Sequence, residues 1–384
     1  VESLEENLEL LGLTGVEDKL QENVKQTLEV IRCAGIKIWM LTGDKRETAT
    51  CIGISSKLVA RNQMIFQMES TTEREAQNSL HEFSALSETV LVIDGSSLAL
   101  CLDNEEMKTL FYESTKTAPA VICCRCSPTQ KAEVVELIRK SSPERVAAIG
   151  DGGNDVSMIQ AAHIGIGIEG KEGRQAALAA DYSLKQFSHI GPLLLWHGRN
   201  AYQRSALISQ VVAYRGMVAS FVQTMYSAVF YMSPVTLYTG MLVFGYSCWY
   251  TMLPVFALVG DRDVSKENAL LYPELYQETR KGHVLSAKTF SLWCLVSVVQ
   301  AGIIFFVSLL LVTNPINYVD LVSVTFTAVI FVELLTFAVV IKTWNMFLLI
   351  SLMSTAALYP LVMLILPSYY RSYVLSTKLV LTSV

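Results

Sequence analysis

The spacing of hydrophobic residues changes character part-way along the chain. Before about Gly198, apolar positions come as short runs and amphipathic stripes broken by polar turns; beyond it, long apolar runs dominate. The first pattern predicts alternating helices and strands around a parallel sheet, and the second predicts helices that cross a bilayer. Residues 17–35 read as an amphipathic helix with Leu20, Val24, Leu28 and Ile31 on one stripe, followed by a strand over 36–41 and a helix over 45–56. Strands are expected at 89–93, 120–124 and 146–149. A helix is expected to begin near Pro128 and run to 140, and another to cover 154–162. The stretch 60–86 is polar and poor in aromatic anchors, and is expected to be a flexible or partly helical insertion without chemistry that covers an edge.

Apolar stretches at 208–232, 235–259, 289–313, 319–341 and 345–367 are each long enough to span hydrocarbon, which needs about 20 residues. The loop 260–288 carries Arg262, Lys266, Arg280, Lys281 and Lys288, whereas the connectors at 233–235 and 313–317 lack Lys and Arg. The positive-inside rule puts the loop and the polar lobe in the cytosol and the connectors outside. The domain reading is therefore a lobe over 1–200 and a transmembrane domain over 201–384. The chain starts at Val1 with neither an initiator Met nor a signal peptide, so membrane entry is expected to rely on the spans and the chain to be a piece of something longer.

Composition agrees: 52% of the 384 residues are hydrophobic and the mean hydropathy is +0.38. A net charge of −5 with no dense basic face argues against a nucleic-acid partner. Eight cysteines show no repeated metal-ligand spacing and suit free thiols in a reducing compartment. The run Cys123-Cys124-Arg125-Cys126 puts neighbouring thiols on opposite faces of a strand and has no His at ligand distance, so zinc is not expected there.

Candidate chemistry concentrates at 146–168, VAAIGDGGNDVSMIQAAHIGIGI. A buried strand ends at Asp151, Gly152 and Gly153 permit a tight turn, and Asp155 follows four residues later. Two carboxylates meeting one hard cation suit Mg²⁺ and a phosphoryl group, since Mg²⁺ binds few protein oxygens and keeps several waters. The bland alternative is an acidic turn that caps a helix. Thr42-Gly43-Asp44 ends an earlier strand, where open parallel sheets place ligands, so Thr42 either donates to phosphate or caps the next helix. Lys131, just inside the helix that follows Ser127-Pro128, either reaches that cleft or is one of several solvated lysines. Asp94 ends a strand as a nucleophilic aspartate does, but no Lys-Thr follows it. Within the spans, Arg215, Gln223, Glu333 and Lys342 are functional suspects because polar groups are costly in lipid. Arg215 serves a lipid headgroup route or snorkels to the interface; Glu333 needs a partner from another helix, and structural glue is its other reading.

TGD at 42–44, RCSPTQK at 125–131 and GDGGNDVSMIQAAHIGIGIEGKEGRQA at 150–176 resemble, in this order, the phosphorylation domain of P-type ATPases. The flanking text LLGLTGVEDKLQ at 10–21, LLLWHGRNAYQRSA at 193–206, DRDVS at 261–265 and PELY at 273–276 resembles the phospholipid flippases, the P4 class, and within them a divergent branch associated with Golgi and endosomal membranes that works without an accessory subunit. The resemblance implies a haloacid-dehalogenase-like, Rossmann-like fold. It implies that Thr42, Gly43, Asp44, Arg125, Lys131, Asn154 and Asp155 bind ATP or phosphate, and that Asp151 and Asp155 hold Mg²⁺. Its substrate would be a phospholipid of the aminophospholipid type, moved by ATP from the exoplasmic to the cytosolic leaflet of trans-Golgi and endosomal membranes through an aspartyl-phosphate. Many relatives carry a lysine near the position of Arg215.

The family's phosphorylated aspartate lies in DKTGT, a string these residues do not contain. No catalytic residue is therefore assigned, and the sheet is expected to be incomplete: the strands ending at Thr42 and Asp151 lose the central neighbour that would pair their backbones, leaving stability marginal. Two other readings follow: a catalytically dead truncated isoform with a regulatory role, and an ion-translocating P-type pump, which the DRDVS and PELY text disfavours.

Overall fold

The computed structural model describes residues 12, 20–60, 62–170, 173–312 and 317–365, the side chain of His283 excepted. Most of the 10–21 text and the tail beyond 365 therefore lie outside the described residues. The chain forms two compact units, Val1–Pro192 and Leu193–Val384.

In the first unit, β1 (Ile38–Leu41), β2 (Ile65–Met68), β3 (Val90–Asp94) and β4 (Ala120–Cys124) form a parallel sheet in the order β1-β4-β3-β2. The central strands β3 and β4 are apolar along almost their whole length because both faces are covered. One face packs on α3 (Glu73–Ser84), α4 (Gly95–Leu102) and α5 (Glu105–Thr115) through Leu80, Phe83, Leu98, Met107 and Phe111. Such side chains contribute about 1.5–3 kcal/mol each when fully buried. The other face, from Val90, Val92, Ala120 and Ile122, packs on Ala49 of α2 (Arg46–Ser55) and on Leu58 and Val59. The unit also contains α1 (Val24–Cys33) and α6 (Pro128–Ser141).

Two expectations change here. The first helix starts at Val24, leaving Leu20 exposed ahead of it, and its strand begins at Ile38. The stretch 60–86 is a built part of the sheet: β2 pairs in parallel with β3, and α3 starts on a capping box between Thr72 and Glu75. The strand escaped the polar reading because an edge strand buries little and needs few apolar residues; Arg46 of α2 pairs with Glu69 just past it.

A second parallel sheet has the order β5-β6-β7, from Ala147–Gly150, Ile164–Ile168 and Tyr182–Leu184, with α7 (Val156–Ala161) and α8 (Gln175–Ala179) packed on it. The helix expected over 154–162 is shorter, because Gly153–Asp155 forms a 3₁₀ turn first. The strands that end at Thr42 and Asp151 thus lie at the ends of two separate sheets, β1 paired to β4 alone and β5 to β6 alone. Leu41 of β1 packs with Val135, Ala148 and Met158 beneath the second sheet.

Among the described residues five helical segments, the first beginning at Phe187, are long and apolar enough to cross a membrane. The first ends in α9 (Arg199–Val229). The second is α10 (Gly240–Gly245), a π-helical turn Tyr246–Tyr250, α11 (Met252–Ala257) and a 3₁₀ turn to Gly260. The loop after it holds α12 (Lys266–Leu271) and α13 (Tyr276–Arg280); α14 (Ala287–Leu311), α15 (Tyr318–Val340) and α16 (Met346–Ile365) complete the set. Tyr214, Val218, Val222, Phe305, Phe326, Ile330 and Phe337 form the shared core.

Candidate functional site

The end of β1 is fastened to the loop after β4 by main-chain hydrogen bonds. The Arg125 amide donates to the Asp44 carbonyl and the Cys126 amide to the Thr42 carbonyl, each at 3.0 Å, while the Thr42 amide donates to the Cys123 carbonyl at 2.9 Å. Thr42 does not cap α2, whose N-cap is Lys45 without a side-chain bond; its hydroxyl donates to Asp44 Oδ2 at 2.9 Å and accepts from the Asp44 amide at 3.1 Å. Gly43 and Asp44 are left exposed at the strand end. Arg125 turns the corner at φ 49°, a left-handed conformation that costs a non-glycine residue free energy. Gly95 touches this corner: a Cβ there would lie 2.4 Å from the Arg125 carbonyl oxygen.

The same corner starts α6, where Ser127 and Gln130 form a reciprocal capping box and Gln130 Nε2 also donates to the Gly95 carbonyl at 2.8 Å. Lys131 follows in the first turn. It is buried, and its Nζ lies 2.8 Å from Asp155 Oδ1. The Asp155 side chain lies over Gly150, where a Cβ would fall 2.3 Å from that of Asp155, so a glycine is required beside Asp151. Asp151 and Asn154 are exposed on the turn.

The structure thus joins Thr42, Asp44 and Arg125 into one group and Lys131 and Asp155 into another, with the 125–131 segment common to both. The oxygen donors fit Mg²⁺: Asp151 is exposed and Asp155 offers Oδ2 once Oδ1 has gone to Lys131, the small hard set that this ion takes. Among the described residues no three His, Cys, Asp or Glu side chains cluster as a metal cage. Asp94 ends β3, one strand from Thr42 across β4, and accepts from Ser96 Oγ at 3.0 Å. Cys123 and Cys124 enter opposite cores, as their positions on β4 require. Burial pushes the Cys101 thiol up to about 12 and the Cys124 thiol up to about 11, so both stay protonated.

In the second unit, Arg215 does not snorkel. Its Nε lies 2.5 Å from Glu333 Oε1, its Nη2 bonds the Thr251 hydroxyl, and its guanidinium sits 5.3 Å above the Tyr246 ring centre. Gln223 is used locally: Oε1 accepts from the Leu237 amide at 2.6 Å, and Nε2 donates to Ser227 and to the Val235 carbonyl. Lys342 lies beyond α15, with Nζ 2.5 Å from Asp263 Oδ1.

A profile for the C-terminal part of phospholipid-translocating P-type ATPases matches residues 177–383, and one for haloacid dehalogenase-like hydrolases matches 16–185. The chain belongs to the phospholipid-translocating P-type ATPases. Over its whole length it is 51% identical to a probable phospholipid-transporting ATPase IIB of Danio rerio, covering 34% of that protein. It is 49% identical over 97% of its length to the probable phospholipid-transporting ATPase tat-5 of Caenorhabditis elegans, covering 35% of it. It is 47% identical over 93% of its length to the phospholipid-transporting ATPase NEO1 of Saccharomyces cerevisiae, covering 31% of it. The chain therefore spans about a third of these curated relatives. As a member of this family it is a multi-pass membrane protein with a haloacid-dehalogenase-like lobe.

Sequence reasoning missed two parts of this P-type ATPase chain. Arg199 is buried and holds Asp263 Oδ2 at 2.7 Å and Glu278 at 3.2 Å, while Asp261 accepts from Thr343 and Lys342. A charged residue where an apolar run begins was the available signal. Tyr246 and Thr251 carried no signal beyond Gly245 and Pro254 flanking them.

Proposed function

We propose that the protein carrying this chain is an ATP-driven phospholipid translocase that cycles through an aspartyl-phosphate, with this chain supplying the phosphate and Mg²⁺ ligands and part of the lipid route. The observation that carries the reading is the buried Lys131–Asp155 pair at the foot of a glycine turn. A buried ammonium–carboxylate pair carries a desolvation cost that its own attraction only partly offsets, and this one lies beside the turn that exposes Asp151.

In this reading Lys131 neutralises charge on a phosphorylated carboxylate, Arg125 and Asn154 orient phosphate oxygens, and Thr42, Gly43 and Asp44 contact nucleotide or phosphate. Asp151 and Asp155 hold Mg²⁺, which when bound neutralises phosphoryl charge. Arg215, with Gln223 nearer the connector, lies along the route of an aminophospholipid-type lipid moving from the exoplasmic to the cytosolic leaflet. ATP is the donor, the lobe is cytosolic, the membranes are those of the trans-Golgi network and endosomes, and no accessory subunit is required. A second reading is favoured by the two separate sheets: without a DKTGT strand the chain by itself takes no phosphate and acts by binding.

The test is labelling with γ-labelled ATP of the chain alone and of the protein at the full length of its relatives. Hydroxylamine-sensitive label is expected in the longer protein, lost in Asp151→Asn and Lys131→Met, with none in the chain alone. Label on the chain alone would make Asp94 the nucleophile, and a longer protein that takes no label would sink the translocase reading.

A further inference from the structure

The Arg215–Glu333 pair has the chemistry of a site rather than a staple. Glu333 is 3% exposed, yet neither of its carboxylate oxygens accepts a well-formed hydrogen bond, and the Arg215 Nε makes none either. A structural ion pair in low dielectric gains when its remaining lone pairs and protons are satisfied by further groups, and here the carboxylate is met by Arg215 and the Tyr246 hydroxyl, neither in good hydrogen-bond geometry. On the Arg215 side the partners are the Thr251 hydroxyl and, at 3.5 Å, the Tyr246 carbonyl, with the Tyr246 ring beneath the guanidinium. Tyr246 opens the π-helical turn of the second span and Thr251 directly follows it; the Thr251 hydroxyl donates to the Tyr246 carbonyl at 2.6 Å and the Tyr246 hydroxyl donates to the Arg215 carbonyl at 3.1 Å. Irregular backbone at membrane depth is tolerated where it lines a cavity or is buried in protein, and broken helices are where transported solutes bind.

Depth follows from helix geometry. The layer of charges around Asp261 ties Arg204 of α9 to Lys342 just past α15. Arg215 is about 16 Å along α9 from Arg204, and Glu333 is about 10 Å from the end of α15, at 1.5 Å per residue. In a hydrocarbon core about 30 Å thick the pair sits a third to half of the way in.

We propose that Arg215 and Glu333 form a zwitterion clamp: the pair opens so that Arg215 takes the phosphodiester of a lipid and Glu333 takes its ammonium, which makes Glu333 the residue that selects amino headgroups. The inference rests on the placing of Arg215 on the route of an aminophospholipid-type lipid and adds the residue that reads its amino group. Charge balance supports it. The closed pair is neutral, a phosphodiester–ammonium headgroup is neutral, and exchange makes two ion pairs from two without stranding a charge. An anionic headgroup would leave Glu333 bare in lipid, at a cost of several kcal/mol. The Tyr246 ring offers the ammonium a second, weaker contact once the guanidinium shifts.

The experiment measures displacement of a fluorescent phosphatidylethanolamine from the detergent-solubilised protein at the full length of its relatives. The competitors are short-chain lipids with ethanolamine or glycerol headgroups, and free phosphoethanolamine. The wild type is expected to bind the ethanolamine lipid at least about tenfold tighter than the glycerol lipid, since 1.4 kcal/mol of differential binding is tenfold. Glu333→Gln should abolish or invert that ratio while leaving phosphodiester binding, and Arg215→Gln should weaken both lipids. If Glu333→Gln does not accumulate, Glu333→Asp should keep the preference at reduced affinity. A headgroup ratio unchanged in Glu333→Gln overturns the clamp, as does a merely structural loss that weakens both lipids equally. Free phosphoethanolamine competing as well as the lipid overturns the membrane as its source. A wild type with the expected ratio but no lipid-dependent ATP turnover upholds the clamp and refutes the translocase reading.

Discussion

Asparagine at Asp263 isolates what the ionic layer after the second span contributes. Asp263 Oδ2 is held by Arg199 Nε at 2.8 Å and Nη2 at 2.7 Å, Oδ1 by Lys342 at 2.5 Å, and the Asp263 amide donates to Asn200 Oδ1 at 3.1 Å. The Arg199 side chain is 6% exposed and that of Asp263 10%. Removing one partner of a buried pair costs about 3–5 kcal/mol, because the other charge is left in low dielectric. Glu278, still bonded to Arg199 but 68% exposed, recovers part of this, as does the amide oxygen of the new side chain, which leaves about 2–3 kcal/mol. That is about a 30- to 150-fold change in the unfolding equilibrium. The pH dependence carries an independent sign. Burial pushes the Asp263 carboxyl up, but hydrogen bonds and charge from Lys342 and Arg199 outweigh it and hold the group below the ordinary aspartate value. A depressed folded-state value means the stabilisation is present above the unfolded value of about 3.9 and is lost as pH falls through the lower folded value. The Trp196 indole, which donates to the Val264 carbonyl at 3.2 Å, gives a fluorescence reporter beside the site. In detergent, Asp263→Asn is expected to unfold earlier by about 2–3 kcal/mol, and to lack the acid-induced loss that the wild type shows below about pH 4. A loss under about 0.5 kcal/mol, the ordinary effect of a surface substitution, with an unchanged acid limb would refute the account of a buried, paired Asp263.

The phosphoryl lobe gives three further expectations. Gly150→Ala puts a Cβ 2.3 Å from that of Asp155 and must push Asp155 off Lys131, so Mg²⁺- and phosphate-dependent protection from proteolysis should be lost while the far-UV circular dichroism stays native; retained protection would show that the turn yields freely. Ser127→Ala removes the cap of α6 and should cost about 1 kcal/mol in chemical denaturation of the lobe, with Ser127→Gly costing only a few tenths; equal losses would deny the capping role. Alkylation of the native chain with iodoacetamide should modify the exposed Cys33 and Cys51 first and leave Cys101, Cys123 and Cys124 intact, as read by peptide mass spectrometry; early modification of Cys101 would contradict its burial and raised thiol value.

Local pattern alone fixed a great deal here. The apolar runs of β3 and β4 had to be central strands, because nothing else buries both faces of so short a segment. The long runs after Gly198 had to be spanning helices, since a lone apolar helix satisfies its own backbone. Motif spacing put Thr42, Arg125, Lys131, Asp151 and Asp155 at strand ends and helix starts, where the structure has them. Tertiary structure decided what periodicity does not encode. Edge strand β2 is legible through its pairing with β3 more than through its own composition, and the division into two sheets depends on which strands find neighbours. Whether Lys131 was solvated or buried turned on Asp155, 24 positions away, and whether Arg215 snorkelled turned on Glu333, on another helix. A charge in a sequence states a cost, and only the fold supplies the partner that offsets it.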